Sequence, residues 1–200
     1  MGSARSSATR MRLTYEEIRT RRLFLRRPRE TDAALVFESF GADPEVTRFL
    51  AWRPHESVAD AEAALATRID RLVRGIEYSW IIELSSAREV AGILSVWPGD
   101  DAVELGFVLA RAHWNRGLMT EAALAVKTWA LGSPGVERIF ATCDLENHAP
   151  ARVLEKAAFT CRGPFEREIV RPNLGPAPRP SLLYEASRQA ADAARRRDES

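Results

Sequence analysis

Residues 77 to 142 constrain the fold more than any other part of this 200-residue chain. Three strand-length apolar segments, "EYSWIIEL", "EVAGILSVW" and "AVELGFVLA", follow one another with only the turn-like "SSARE" and "PGDD" between them. Connections that short join neighbouring antiparallel strands, so a meander is expected. The third segment then leads through "WNRGLMTEA" into a stretch whose Leu118, Ala122, Ala125, Val126 and Trp129 share one helical face, after which "VERIFATC" reads as another strand. A strand, helix, strand order of this kind calls for a right-handed crossover.

The flanking segments complete an α+β (α/β/α) pattern. "RRLFLRRP" alternates like a first strand that Pro28 ends, and "TDAALVFESFG" reads as a helix with Asp32 as N-cap and Gly41 as its stop. "DPEVTRFLAW" looks like a second short helix. Ser57 and Asp60 form a capping-box pattern ahead of the stripe Ala61, Leu65, Ile69 and Leu72, which ends at Gly75. Beyond the crossover come a helix from about Ala149 to Ala157 and two strands, "FEREIVRP" and "SLLYEAS", around the Pro/Gly-rich "NLGPAPRP", read as a mobile or substrate-facing loop. The expected organisation is an N-terminal extension over 1–20, a single domain over 21–188 and a polar tail over 189–200.

Composition narrows the function classes. A hydrophobic fraction of 46%, a charged fraction of 28% and a net charge of +1 are those of a globular domain. No segment reaches the roughly 18 apolar residues of a spanning helix, and no apolar stretch of signal-peptide length follows the first ten residues. Neither a membrane nor export is expected, and the chain is placed in the cytoplasm. Arg19, Arg21, Arg22, Arg26, Arg27 and Arg29 crowd together, and they read as a solvated edge strand rather than a nucleic-acid patch, since aromatic interleaving is missing. Cys143 and Cys161 are too few and too irregular for a disulfide framework or a zinc site, so they read as reduced core thiols and no metal is expected.

Chemistry concentrates in "WNRGLMTEA". The first N–H groups of a helix lack intrahelical partners and sit at the positive end of its dipole, which makes an anion site. Gly117 lets backbone approach a phosphate without a Cβ, and Arg116 adds a fixed charge. Neither "GxxxxGK[ST]" nor "GxGxxG" is present, so the loop is not of a common nucleotide-binding type.

This stretch resembles the coenzyme-A pyrophosphate signature of the GNAT acyltransferase superfamily, in the branch of the ribosomal-protein alanine (Rim-type) acetyltransferases. There the usual form is Trp-Gly-Lys/Arg-Gly-hydrophobic-hydrophobic/small-Thr-Glu-Ala. "ENHAPARVLEKAAF" is similar to the second landmark of that branch, Glu-Asn-x-x-Ser-x-x-Val-Leu-Glu-Lys-x-Gly-Phe. The resemblance covers roughly Arg22 to Ser187. It implies the GNAT fold: a central mixed, mostly antiparallel sheet of six to seven strands with a V-shaped splay between the fourth and fifth, flanked by about four helices.

It also implies roles residue by residue. Backbone amides of Asn115, Arg116, Gly117, Leu118, Met119 and Thr120 would surround the pyrophosphate. Phe107, Val108 and Leu109 would run along the pantetheine arm of acetyl-CoA, and Asn147 would hydrogen-bond it. Three departures stand out. Asn115 replaces the first loop Gly, Pro150 replaces the Ser whose hydroxyl serves the departing thiolate, and Ala158 replaces a Gly. Glu104 occupies the position of a possible general base, or is an outward, salt-bridged strand residue; Glu83 and Glu146 are weaker candidates. Tyr184 is a candidate replacement acid. His113 and His148 flank the two motifs.

Trp52, Arg53 and His55 fall where the family builds one wall of its acceptor cleft, while Trp80 and Trp97 line that cleft or fill the core. No acidic funnel of the kind that suits a polyamine is visible. The implied activity is acetyl-CoA-dependent N-acetylation of a primary amine, on a small molecule or a protein N-terminus, by direct attack. The alternative is an acyl-CoA-binding or partner-binding protein whose catalysis Pro150 has impaired. A homodimer is compatible with the resemblance.

Overall fold

The structure, a computed structural model, describes residues 11–189. The first strands are β1 (Ile18–Arg19) and β2 (Leu23–Arg26), followed by α1 (Ala33–Val36) and α2 (Pro44–Thr47). The long α3 (Val58–Val73) leads into the meander β3 (Tyr78–Leu84), β4 (Val90–Pro98) and β5 (Ala102–Leu109). The crossover helix α4 (Leu118–Gly132), β6 (Arg138–Asp144) and α5 (His148–Lys156) come next, then β7 (Thr160–Pro164), β8 (Ile169–Val170), β9 (Pro178–Arg179) and β10 (Ser181–Ser187).

Eight strands form one sheet in the order β1-β2-β3-β4-β5-β6-β10-β7, antiparallel throughout except where β5 and β6 run parallel across the crossover. Alternation sorts the side chains onto two faces. Trp80, Ile82, Leu94, Val96, Leu105 and Ile139 pack under α4 and α5, where Leu118, Ala122, Val126 and Leu154 meet them. Ile81, Val90 and Ile93 face the opposite layer, made by Ala33, Val36, Phe40, Ala61 and Leu65. The predicted capping box is formed: Asp60 N–H donates to Ser57 Oγ, and Ser57 N–H donates to the Asp60 carboxylate at 2.9 Å.

Several expectations need correction. The strand beside β10 in the main sheet is β7, "TCRGP", rather than "FEREIVRP", of which only Ile169–Val170 pairs, with Pro178–Arg179 in a separate ribbon. β7 is an exposed edge strand with no apolar alternation, and such an edge tolerates Pro164, which has no N–H to donate. The sheet exceeds the expected strand count through the two-residue β1. Residues 11–20, assigned to an extension, contribute from Leu13 onward, which is buried and donates its N–H to Tyr78 Oη at 3.0 Å. The expected N-terminal residues 1–10 and the tail from 190 lie outside the described residues.

Asp32 is not a simple N-cap. Its carboxylate accepts from both ends of the Arg26 guanidinium at 2.8 and 2.9 Å as well as from Arg29 N–H. Arg26 is 5% exposed and also binds Glu83 at 2.6 Å, so the arginine-rich strand is not wholly solvated. Cys143 is a core thiol, but Cys161 is exposed on the edge strand. The Pro/Gly-rich loop is anchored where it begins: Asn173 donates to the carbonyls of Thr47 and Trp52, each at 2.7 Å, and Arg171, just ahead of it, donates to the Phe49 carbonyl at 2.6 Å.

Candidate active site

The splay expected between the fourth and fifth strands is present between β5 and β6, because the two-residue β1 moves the count by one, and its origin is visible in the register. β5 and β6 pair only at Ala102↔Arg138, Val103↔Ile139 and Glu104↔Phe140, whereas β4 accompanies β5 to Leu109 and β10 accompanies β6 to Asp144. From Leu105 to Leu109 the side of β5 that faces β6 has no strand partner. Phe107, Val108 and Leu109 therefore border an open cleft between strands. The Trp114 indole N–H donates to the Leu109 carbonyl at 2.7 Å and ties the following loop to the end of the strand.

That loop opens α4 with two left-handed residues, Asn115 at φ 59° and Gly117 at φ 70°. Asn is among the few residues that enter this region at modest cost, so the bend survives without the family Gly. The first backbone bond into α4 runs from Glu121 N–H to the Gly117 carbonyl. Among the described residues, the N–H groups of Asn115, Arg116, Gly117, Leu118, Met119 and Thr120 donate to no protein acceptor. Six consecutive free donors at the start of a 15-residue helix form a cradle whose natural occupant is an anion. A bound pyrophosphate fits this arrangement, since unpaired donors otherwise depend on water.

Arg22 fastens the cradle from the β1–β2 turn. Its Nη1 donates to the Arg116 carbonyl at 2.8 Å, and its Nε and backbone N–H reach the Glu121 carboxylate at 2.7 and 2.8 Å. Thr20 Oγ1 adds a bond to the same carboxylate at 2.6 Å. Burial opposes charge on Glu121, yet the bonds from Thr20 and Arg22 hold its carboxyl below the usual range. Arg116 lies beside His113 Nδ1 at 3.3 Å, and His113 Nε2 faces Glu89 at 3.2 Å.

Glu104 points from β5 to the face opposite α4, the face it shares with Trp97 and Phe140 through direct strand pairing. Burial raises its pKa, with Arg167 opposing, and its carboxylate makes no hydrogen bond among the described residues. The other acidic candidates are engaged: Glu83 binds Arg26 and Glu146 binds Arg179. On the same face as Glu104 lies a cavity of about 480 Å³ whose walls include Trp52, His55, Trp97, Gly106 and Val108. Trp52 and His55 stack with ring centroids 5.0 Å apart, whereas Arg53 is exposed and outside the lining. The two strand tryptophans divide: Trp80 is fully buried in the core and Trp97 lines the cavity.

Tyr184 and Asn147 stand elsewhere, around a hollow of about 270 Å³ on the α5 side that also includes Cys143. The Tyr184 hydroxyl donates to Glu155 Oε1 at 3.2 Å. Burial, with the nearby thiols and Glu155, raises the pKa of that phenol. Pro150 is the third residue of α5, and exposed His148 is the first. The charged residues of the cavity wall that escaped the sequence reading are Arg68, Arg71 and Glu77. The two arginines lie three apart on α3 and so share a helical face, the only sequence signal of their association.

The profile of the family described as the acetyltransferase (GNAT) domain matches residues 22–160. YoaA of Bacillus subtilis (strain 168), described as an uncharacterized N-acetyltransferase, is 29% identical over 151 residues, covering 73% of this chain and 84% of that protein. The crystal structure of a GNAT-family acetyltransferase from Bacillus anthracis superposes with a TM-score of 0.75 at 22% identity, over 87% of this chain and 99% of that one. RimL, the ribosomal L7/L12 alpha-N-protein acetyltransferase, in complex with coenzyme A, gives 0.76 at 20% identity over 88% and 99%. With the splayed strands, the free-amide loop and this match over most of the domain, the chain belongs to the GNAT acetyltransferase family.

Proposed function

We propose that the protein is an acetyl-CoA-dependent N-acetyltransferase that moves an acetyl group to a primary amine by direct attack, without a covalent enzyme intermediate. The observation that carries this reading is the run of six unpaired N–H groups from Asn115 to Thr120 placed at the end of a strand with a free edge. Acetyl-CoA supplies an activated thioester. The chain supplies position, polarisation and a proton path.

In this reading the loop amides and Arg116 hold the pyrophosphate, and the free edge of Phe107, Val108 and Leu109 extends the sheet onto the pantetheine amides, with Asn147 adding a bond. A backbone N–H near Val108 or Leu109 meets the developing oxyanion. Glu104 takes the proton from the amine directly or through water, and its raised pKa brings a carboxylate closer to the working pH of a general base. Tyr184, backed by Glu155, is the candidate for returning a proton to the departing thiolate, a task for which Pro150 has no hydroxyl. The reading places the enzyme in the cytoplasm and its acceptor among small amines or protein N-termini.

Calorimetric titration with acetyl-CoA tests the cradle. Binding on the order of −8 kcal/mol, the micromolar range, is expected, and it should vanish in an Arg116→Ala, Gly117→Asp double variant. Glu104→Gln tests the base. A general base works deprotonated, so kcat/KM should rise with pH through a pKa above the ordinary carboxylate value, and this acid limb should disappear in the variant. An unchanged pH profile and turnover would remove Glu104 from the mechanism. Pro150 favours a second reading, a coenzyme-A-binding protein with impaired catalysis, which acetyl transfer to any amine rules out.

A further inference from the structure

The acceptor-side cavity ends in a buried charge cluster that the transfer chemistry does not use. Arg68 and Arg71 reach from α3 to Glu77, which immediately precedes β3 and is 0% exposed. Arg68 bonds Glu77 Oε1 and Ser95 Oγ, the latter at 3.1 Å. Ser79 Oγ also donates to Oε1 at 2.7 Å, and Arg71 reaches Oε2 at 3.3 Å. Burial works against the Glu77 charge, but Arg68 and the bonds from Ser79, Arg71 and Trp97 outweigh it and hold the carboxyl below its usual range.

Two guanidinium groups thus meet a single carboxylate that is fully occupied and closed to any ligand. Nε and Nη2 of both arginines make no hydrogen bond among the described residues. Both side chains retain access to solvent, Arg68 at 23% and Arg71 at 49%. Among the described residues no other acidic residue lines the cavity, and burial lowers the pKa of His55, which works against a positive charge on that ring. The cavity presents one net positive charge with spare donors at this end. Its remaining walls are apolar and aromatic, including Phe40, Leu65 and Trp97.

The register sets the scale. Ser79 pairs with Ser95, Ser95 with Gly106, and Trp97 with Glu104. Arg68, bonded to Ser95 on β4, therefore stands one to two strand spacings, about 5–10 Å, from the free edge of β5. Trp97 fills the interval. Its ring lies across β5 because Gly106 has no Cβ, which would come within 2.8 Å of the ring. An amine delivered to Glu104 thus passes over an aromatic platform whose far end is cationic.

Resting on the acetyltransferase reading above, we infer that the acceptor is a small amine that carries its own anionic group, separated from the amine by a short apolar body, with the anion on Arg68 and Arg71 and the body on Trp97. A protein N-terminus, which has an amide where such an acceptor has its charge, brings no anion to the spare donors of the two arginines. A polyamine is repelled by them. The cavity volume is of small-molecule size.

The test compares matched pairs with purified protein and acetyl-CoA, reading free thiol release and the mass of the product. The pairs are 6-aminohexanoate with hexylamine, 4-(aminomethyl)benzoate with benzylamine, and the dipeptide Ala-Phe with its C-terminal amide; spermidine is added. At least one charged member is expected to exceed its neutral partner about tenfold in kcat/KM. Arg71→Gln, and Arg68→Gln where it folds, should shrink that ratio by raising KM for the charged member while calorimetric affinity for acetyl-CoA is kept. Neutral amines or spermidine used as well as or better than the charged members would overturn the inference. So would a ratio unmoved by Arg71→Gln, or no transfer to any charged member by protein with acetyl-CoA bound. Failure of folded protein to bind acetyl-CoA would instead overturn the enzymatic reading, and the inference with it.

Discussion

Ala158 sits at φ 58°, the left-handed position that closes α5. Its N–H donates to the Glu155 carbonyl and that of Phe159 to the Leu154 carbonyl, which makes a Schellman closure with Phe159 and Leu154 both in the core. A Cβ costs energy in this conformation, so Ala158→Gly should stabilise the protein by about 1 kcal/mol, read as a higher urea midpoint at unchanged slope. The departure from Gly was legible in the sequence, but its consequence required the backbone angle. Asp32 shows the opposite limit. An acid before an apolar helix looks the same whether it caps the helix or binds a buried arginine, and only the fold shows that Arg26, itself bound to Glu83, lies beside it. Asp32→Asn keeps the shape and removes one charge from Arg26, which should cost about 2 kcal/mol in chemical denaturation.

At the level of elements, those with a strong periodic signal stood where the sequence put them: β3, β4, β5, α3, α4 and α5. Their stripes face a core, and burial of a stripe leaves its period in the sequence. β7 left none, because an exposed edge strand needs no apolar alternation. The loop from Asn173 to Pro180 hid its attachment for a different reason. Its Pro and Gly content describes local conformation, whereas its anchors, Arg171 and Asn173, bond to residues more than 120 positions away. The same distinction runs through the site. The amide cradle was legible because it is one contiguous stretch, while the Arg68, Arg71 and Glu77 cluster draws on two elements. Asn173 fixes the carbonyls of Thr47 and Trp52 and so steadies one wall of the acceptor cavity. Asn173→Ala should raise KM for the acceptor several-fold and leave KM for acetyl-CoA unchanged, which steady-state kinetics with each substrate varied will check. A fall in acetyl-CoA affinity instead would mean that the loop acts on the cradle.

Across the whole molecule, the sheet is two units joined weakly at backbone level. β1 to β5 form one and β6, β10 and β7 the other, with only three residue pairs between them and α4 crossing over the join. The cradle stands at that join, because α4 starts in it and Arg22 ties it to the first unit through Glu121. A ligand held by the loop amides and the free edge of β5 therefore fills the gap between the units as well as the site. Binding confined to the folded state adds RT ln(1 + [L]/Kd) to stability, about 2.7 kcal/mol at a hundredfold excess over Kd. For a domain of this size that is a rise in Tm of roughly 5–10 °C. Coenzyme A and acetyl-CoA should act alike, since the pyrophosphate and pantetheine they share make the proposed contacts. The Arg116→Ala, Gly117→Asp variant should show no rise with either. Hydrogen exchange should slow in bound protein at Asn115 to Thr120 and on the open side of β5, the donors that are unpaired without ligand. A Tm rise with exchange slowed only around the acceptor cavity would place the coenzyme on the wrong face of the sheet and refute the assignment of the cradle.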